Sequence, residues 1–294
     1  MKRLLLALLA QVFFFIWAWP QAPTAEENSL LWEISGKELQ QASYLFGTIH
    51  LIQKEDYALS DLAKNALEKA KWVTFEINMA EMSDFSKLMP LMMKAFMADG
   101  KTLRSLLSEE DYTLVKAHFE KAGLPMFLIE RIKPMFLSAM GNEDVASMQS
   151  NGEMVSYEME LMKIAEEQKK QVAGLETAEY QMSIFDSIPY EVQAKMLVES
   201  IKAGEGDNHA FQEMVELYKK QDITGLSKMI QADQEVSNYE EVLLVRRNKN
   251  WIPVMAKMMA ESPTFFAVGA GHLAGEQGVI ALLRAAGYNV KPLR

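Results

Sequence analysis

The 294-residue chain contains no cysteine. That excludes a disulfide framework and the lipid-bearing cysteine of a bacterial lipoprotein. It leaves only His, Asp and Glu as ligands for a metal. The chain also lacks a surplus of positive charge: 30 Lys+Arg stand against 40 Asp+Glu, a net −10. Nucleic-acid-binding proteins usually present a basic face, so no nucleic-acid partner is expected. Histidine is scarce, with four in the whole chain. No low-complexity segment and no linker interrupts the sequence.

One long apolar run is present, and it lies at the N-terminus. Lys2 and Arg3 precede an apolar stretch from Leu4 to Trp19 that only Gln11 breaks. Pro20 ends it, and the chain turns polar by Glu26. This is the charged-then-apolar order of a secretory signal peptide, over residues 1–22. Ala22 and Ala25 are the small residues at which cleavage fits, which puts the boundary at 22–25. A membrane-spanning helix needs about 20 apolar residues, so the expectation is a cleaved signal with no stable span left behind. Its removal takes two positive charges and no acid. An exported chain without cysteine suits the bacterial envelope, as a periplasmic or secreted protein.

Residues 23–294 read as a single domain, with apolar content enough for a sizeable core. Leu30–Ile34 and Ser43–Ile49 read as two strands of a hairpin around Ser35-Gly36-Lys37. Ser60–Ala70 is helical by its three-and-four spacing, and Lys71–Asn78 is a strand that carries Glu76 near its end. From about 83 to 260 the pattern is mostly helical and rich in Met. Helices are expected from Ser108, from Lys133-Pro134, over Ser156–Gln168, over Glu191–Lys202, from Asn208 to Lys220 after a turn at Gly204–Asp207, over Asp222–Ile230, and over Asn238–Ala260 with a kink or break at Pro253. Gln171–Leu175 is a short strand among them. The chain closes with a strand at Thr264–Val268, a helix over Glu276–Ala286 and a strand at Tyr288–Pro292. The fold class is α/β: a mixed β-sheet flanked by helices, with a large helical insertion in the middle. Met92, Met93, Met97, Met154, Met159 and Met162 are expected to fill core rather than bind metal.

The chemistry-bearing residues sit where strands end. Gly47-Thr-Ile-His50 and Gly269-Ala-Gly-His272 each place a histidine after an apolar strand. In α/β sheets, sites collect beyond the carboxyl ends of strands. Glycines there permit unusual backbone angles or close approach, and Gly275-Glu276 is expected to open a helix whose amides suit an anion. His118 and His209 lie on charged helical backgrounds and are read as surface residues. Glu76 must be paired, solvated or bound to a cation, because a bare buried charge is costly. Two imidazoles and a carboxylate (His50, Glu76 and His272) suit zinc, manganese, iron or cobalt. The same three groups also suit metal-free acid–base chemistry, with a His as base and Glu76 orienting it. Each His also has a plain structural reading, as a hydrogen-bonded core residue. Glu176 is either another site carboxylate or a helix N-terminal acid. Arg247, with Arg246 and Asn248, either binds developing negative charge or ends a helix in solvent.

Taken together, Gly47-Thr-Ile-His50, Glu76, Gly174-Leu-Glu176-Thr177 with Gln181, Arg247-Asn248, and Gly269-Ala-Gly-His272-Leu with Gly275 and Gly278 resemble the TraB/PrgY/GumN family. The resemblance covers nearly all of residues 23–294. It is nearest to the signal-bearing GumN-like members. The wider superfamily includes metal-dependent proteases of the Tiki type and is related to erythromycin esterases. The resemblance implies an exported hydrolase, peptidase-like and metal-dependent, using Mn, Co or Zn held by His50, Glu76 and His272. It implies catalytic roles for His50, Glu76, His272 and Arg247, and supporting roles for Gly47, Glu176, Gln181, Asn248 and Gly269. The partner would be a peptide or small-molecule substrate. Two alternatives remain open: a protein that binds or sequesters peptides without cutting them, and a metal-free His–Glu hydrolase.

Overall fold

The computed structural model describes residues 21–83, 85–140, 154–205, 209–233 and 237–294. Nearly all of the proposed signal peptide and the turn expected at 206–207 therefore lie outside the described residues.

Among the described residues eight strands are present: β1 (Leu31–Ser35), β2 (Ser43–Thr48), β3 (Ile52–Gln53), β4 (Trp72–Ile77), β5 (Met154–Val155), β6 (Gln171–Glu176), β7 (Thr264–Gly269) and β8 (Asn289–Leu293). Six form one sheet in the order β6-β4-β7-β2-β1-β8, and β3 pairs with β5 apart from it. β6, β4, β7 and β2 are mutually parallel neighbours. β1 runs against both β2 and β8, so the sheet is mixed. The burial follows from this order. β2 lies inside the sheet and all six of its residues are buried. β7 is buried over its first five, whereas edge strand β6 buries only Leu175. Central parallel strands covered on both faces read as continuous apolar runs, as Ser43–Thr48 and Thr264–Val268 do.

Local signals set most boundaries. Ser60 caps the helix Asp61–Lys69 by accepting the Ala63 N–H, and Ser108 caps Glu109–Lys121 through the Asp111 N–H. Such caps contribute about 1 kcal/mol each. The β1–β2 turn needs three consecutive positive-φ residues, Gly36, Lys37 and Glu38. Lys133-Pro134 begins the helix Pro134–Met140, in keeping with the tolerance of proline in a first turn.

Elsewhere the structure corrects the sequence reading. Pro253 does not break its helix, which runs Arg246–Glu261 with the proline inside. The irregularity lies earlier, in a π-helical turn over Glu241–Val245, a feature found often at functional sites. The last helix is Val279–Ala285, not one starting at Glu276. Residues 270–272 form a short 3₁₀ turn instead, so Gly275-Glu276 offers no helical N-terminus to an anion. The methionines divide. Met97 and Met154 are buried and Met162 packs against the core, while Met92, Met93 and Met159 are 49%, 67% and 53% exposed. A three-and-four spacing says which residues share a helix face, not whether that face is covered.

Two apolar clusters organise the interior. The larger lies on the sheet and includes Trp32, Phe265, Phe266 and Trp251. The smaller is mainly helical, built from residues such as Leu103, Phe119, Leu137 and Leu197. The middle of the chain thus has a helical core of its own. β6 passes through that middle block and joins the main sheet. The helix Arg246–Glu261 returns to pack on β6 and so delivers Arg247 and Asn248 to the strand ends.

Candidate functional site

Four neighbouring parallel strands end nearly flush. Thr48 of β2 pairs with Gly269 of β7, and Ile77 of β4 pairs with Glu176 of β6. Each strand therefore delivers its polar residue to the same edge: His50 two residues past β2, Glu76 within β4, Glu176 at the end of β6, and His272 three residues past β7. Two glycines make this convergence fit. A Cβ on Gly47 would lie 2.7 Å from Leu273 Cδ1 and 3.2 Å from Ala270 Cα. A Cβ on Gly269 would lie 3.3 Å from Glu76 Oε1. Neither glycine has a positive φ. Close approach explains both, rather than unusual backbone angles.

Glu76 is enclosed by donors. Its Oε1 accepts the Gly269 N–H at 2.9 Å. Its Oε2 accepts from Arg247 Nη2 at 2.5 Å and from Gln181 Nε2 at 3.1 Å. Glu176 shares these partners. Its Oε1 accepts from Arg247 Nε and Nη2 and from Gln181 Nε2, and its Oε2 accepts from Trp251 Nε1 at 2.9 Å. Arg247 is 8% exposed, not a helix end in solvent. Its remaining nitrogen, Nη1, donates to the Leu243 carbonyl and to His272 Nε2, each at 3.1 Å. All five of its N–H groups are therefore engaged. In this arrangement Arg247 offsets the charge of two buried carboxylates and has no donor left for a substrate oxyanion.

His272 is 4% exposed. Its Nδ1 lies 2.6 Å from Asn248 Oδ1, and Asn248 Nδ2 donates to the Gln277 carbonyl at 2.9 Å. With the amide oriented this way, the network assigns the His272 proton to Nδ1. The Nε2 lone pair then faces Arg247 Nη1 and lies 3.7 Å from Glu76 Oε1. The Trp251 ring covers the imidazole, with centroids 4.5 Å apart. Burial pushes the His272 pKa down to about 3; the Glu76 charge opposes this and Arg247 reinforces it. Burial alone would push the Glu76 carboxyl up. The positive groups around it, His272 when protonated, Arg247 and His50, together with the Gly269 N–H, hold it instead at about 2. At neutral pH His272 is an uncharged base beside an ionised carboxylate that Arg247 balances.

His50 stands apart from this network at the mouth of the site. Its side chain is 77% exposed. Its Nδ1 contacts Glu158 Oε1 at 2.9 Å. That hydrogen bond raises the His50 pKa, and solvent around so exposed a ring weakens the pairing. Glu76 and Arg247 lie close enough to shift its titration in opposite directions. Among the described residues, no group of three His, Asp or Glu side chains meets at metal-ligand spacing.

Gly47, His50, Glu76, Glu176, Gln181, Arg247, Asn248, Gly269 and His272 thus lie at one sheet edge. All but Gly47 and His50 belong to one hydrogen-bonded network. His118 is part-buried with its ring edge-on to Phe119, and His209 is exposed; both are on helices away from the strand ends. Two residues of this region went unread in the sequence, Glu158 and Trp251. Each sits in an ordinary amphipathic helix, and nothing local marks either out.

The profile of the TraB/PrgY/gumN family matches residues 30–292. The chain belongs to the TraB/PrgY/gumN family. Curated relatives of this family member are named metalloproteases. The Metalloprotease TIKI1 of Danio rerio is 26% identical over 92% of this chain and 64% of its own length. The Danio rerio Metalloprotease TIKI2 is 24% identical, covering 90% and 61%. The Homo sapiens Metalloprotease TIKI1 is 24% identical, covering 91% and 62%. The chain thus spans somewhat under two thirds of the length of these relatives. No solved structure matches it. Among the described residues, no helix is long and apolar enough to cross a membrane.

Proposed function

We propose that this TraB/PrgY/gumN protein is an exported hydrolase of the peptidase type, working at the shared edge of β2, β4 and β7 with a divalent metal. The observation that carries the reading is the state of the two histidines and Glu76. His272 is buried and uncharged, with its proton drawn to Nδ1 by Asn248 and its Nε2 lone pair beside an ionised Glu76. His50 is likewise held by Nδ1 through a carboxylate. Metal-ligating histidines have this form, one nitrogen held by a carboxylate or carbonyl oxygen and the other left to ligate.

By residue type His50, His272 and Glu76 are the donors that would hold a divalent cation, although among the described residues they do not meet at metal-ligand spacing. Such an ion supplies a bound water of lowered pKa and polarises a scissile carbonyl. Asn248 fixes the His272 tautomer. Arg247 and Gln181 hold Glu76 and Glu176 in place. Trp251 keeps water from one face of His272. The names of the relatives support the metal and the peptidase class, and the apolar N-terminal run supports export.

A metal-free reading has its own observation. Both Glu76 oxygens already accept hydrogen bonds, and His272 Nε2 already faces Arg247. On that reading His272 takes a proton from the water as its oxygen bonds to the substrate carbonyl, and Glu76 stabilises the imidazolium formed.

The experiment is metal analysis of the purified protein beside H50A and H272A, followed by cleavage of a peptide library with and without chelator. Metal in the parent, its loss in both variants, and cleavage abolished by chelation support the proposal. Cleavage that survives chelation selects the metal-free hydrolase. Peptide retained uncut by a metal-loaded protein selects a binding role and overturns the hydrolase.

A further inference from the structure

We propose that Glu158 is a positioning residue for the site: it holds His50 by Nδ1 and so makes Nε2 the working nitrogen of that histidine. The inference deepens the proposed function and rests on that reading for what Nε2 does, though not for how the ring is held.

The geometry is specific. Glu158 Oε1 takes two donors at once, His50 Nδ1 at 2.9 Å and Thr48 Oγ1 at 2.7 Å. Glu158 Oε2 accepts from Ser156 Oγ at 3.0 Å. The carboxylate thus spans the end of β2 and the start of the helix Tyr157–Glu167, and its orientation is fixed from both sides. The backbone is pinned in the same place. Directly after His50, β3 pairs with β5, Ile52 with Val155 and Gln53 with Met154. Ser156 caps the helix through the Met159 N–H, and Tyr157 donates its hydroxyl to the Ala58 carbonyl.

This short β3–β5 ladder matters because His50 lies in a loop with its side chain largely in solvent. A free imidazole there would sample several rotamers and both neutral tautomers, with the Nε2–H form favoured in water. Here two strands hold the loop to the helix, and the helix's own first turn supplies an acceptor 14% exposed. The acceptor can bond Nδ1 only when that nitrogen carries the proton. His272 is held by its Nδ1 too, through Asn248. The two Gly-x-x-His motifs therefore present the same nitrogen by different means: a neutral amide deep in the site and a carboxylate at its mouth.

The test reads the tautomer itself. Protein labelled with ¹⁵N-histidine gives signals for only four residues, and H50Q identifies those of His50. Two-bond ¹H–¹⁵N spectra are recorded above the His50 titration, where the ring is neutral, for parent, E158A and E158Q. The parent should show the Nδ1–H tautomer. E158A should shift His50 mainly to Nε2–H while the His272 signals stay in place. E158Q should keep the parent tautomer, because its amide oxygen still accepts from His50 and Thr48 and its NH₂ faces Ser156. An Nε2–H tautomer in the parent, or an unchanged His50 in E158A, overturns the proposal. Unmoved His118 and His209 signals show that E158A is folded; if E158A fails that check, the parent spectrum and E158Q still decide. The outcome is independent of hydrolysis. Loss of the tautomer assignment takes His50 out of the observation behind the proposed site and leaves its His272 and Glu76 part standing, and absence of any cleavage leaves the tautomer result standing. Where cleavage is found, E158A should lower kcat by 10-fold or more with KM nearly unchanged, and E158Q should recover part of the loss.

Discussion

Arg247 carries more of the site's electrostatics than any other side chain, and its removal gives the most informative prediction. The guanidinium lies between two carboxylates, and the side chains of Arg247, Glu76 and Glu176 are 9%, 13% and 5% exposed. In Arg247→Ala, Glu76 and Glu176 remain on adjacent strands with only the Gln181 amide between them. Deleting one partner of a buried ion pair costs about 3–5 kcal/mol, because the other charge is left without compensation. Domain stabilities are about 5–15 kcal/mol, so the variant should lose a substantial part of its stability. Chains of about this size shift by roughly 2–4 °C per kcal/mol, which gives a drop in melting temperature of roughly 6–20 °C. Arg247→Lys should fall between parent and Ala, since it keeps the charge and loses the planar fork that reaches both carboxylates. The assay is urea unfolding at pH 7 for R247A, E176Q and the double variant. Neutralising Glu176 removes one of the two stranded charges, so the double variant should be more stable than the sum of the single losses, by about 0.5–3 kcal/mol. The reasoning is refuted if R247A loses less than about 1 kcal/mol or if the two substitutions add without coupling.

Acid should unfold the parent in two overlapping ranges. His272 has its pKa pushed below the ordinary imidazole value of 6.5, to about 3, so its stabilisation is complete above pH 6.5 and is lost as pH falls toward 3. Glu76 is held at about 2 against an ordinary 4.5, so its contribution is present above pH 4.5 and lost as pH falls toward 2. Urea midpoints at pH 7, 5.5 and 4 should therefore fall more steeply for the parent than for H272Q; equal slopes would contradict an uncharged, buried His272. Gly47→Ala should cost about 1–3 kcal/mol by overpacking, since the new methyl meets Leu273 and Ala270; a thermal melt within 1 °C of the parent would show that this strand end has room. Met97→Ala should cost about 2–5 kcal/mol, whereas Met93→Ser should stay within about 0.5 kcal/mol, because Met97 is buried and Met93 is exposed.

The order of elements was legible because its signals are local. Ser60, Ser108 and Ser156 announce helix starts, and the apolar runs at Ser43–Thr48 and Thr264–Val268 announce central strands. The boundaries that slipped are those decided by packing. Gly278, not Gly275, precedes the last helix, and the helix Arg246–Glu261 passes through Pro253. Met92, Met93 and Met159 are exposed for a related reason: a helix pattern shows which residues share a face, and only the neighbours decide whether that face is covered.

The sequence by itself determined that two glycine-flanked histidines follow apolar strands and that an acid stands near the end of a third. It also determined that the chain supplies no thiol of its own. Strand periodicity and residue type suffice for that, since both act over a few residues. Only the tertiary structure decided how the strand ends line up and which partners each polar group finds. It placed Arg247 between Glu76 and Glu176, gave His272 to Asn248 and Trp251, and brought Glu158 to His50 from 108 residues away. Those partnerships depend on strand order, on the β3–β5 ladder and on the return of a helix across β6. A contact between residues that distant in the chain is fixed by the packing of whole elements. It leaves no local trace in the side chains that make it.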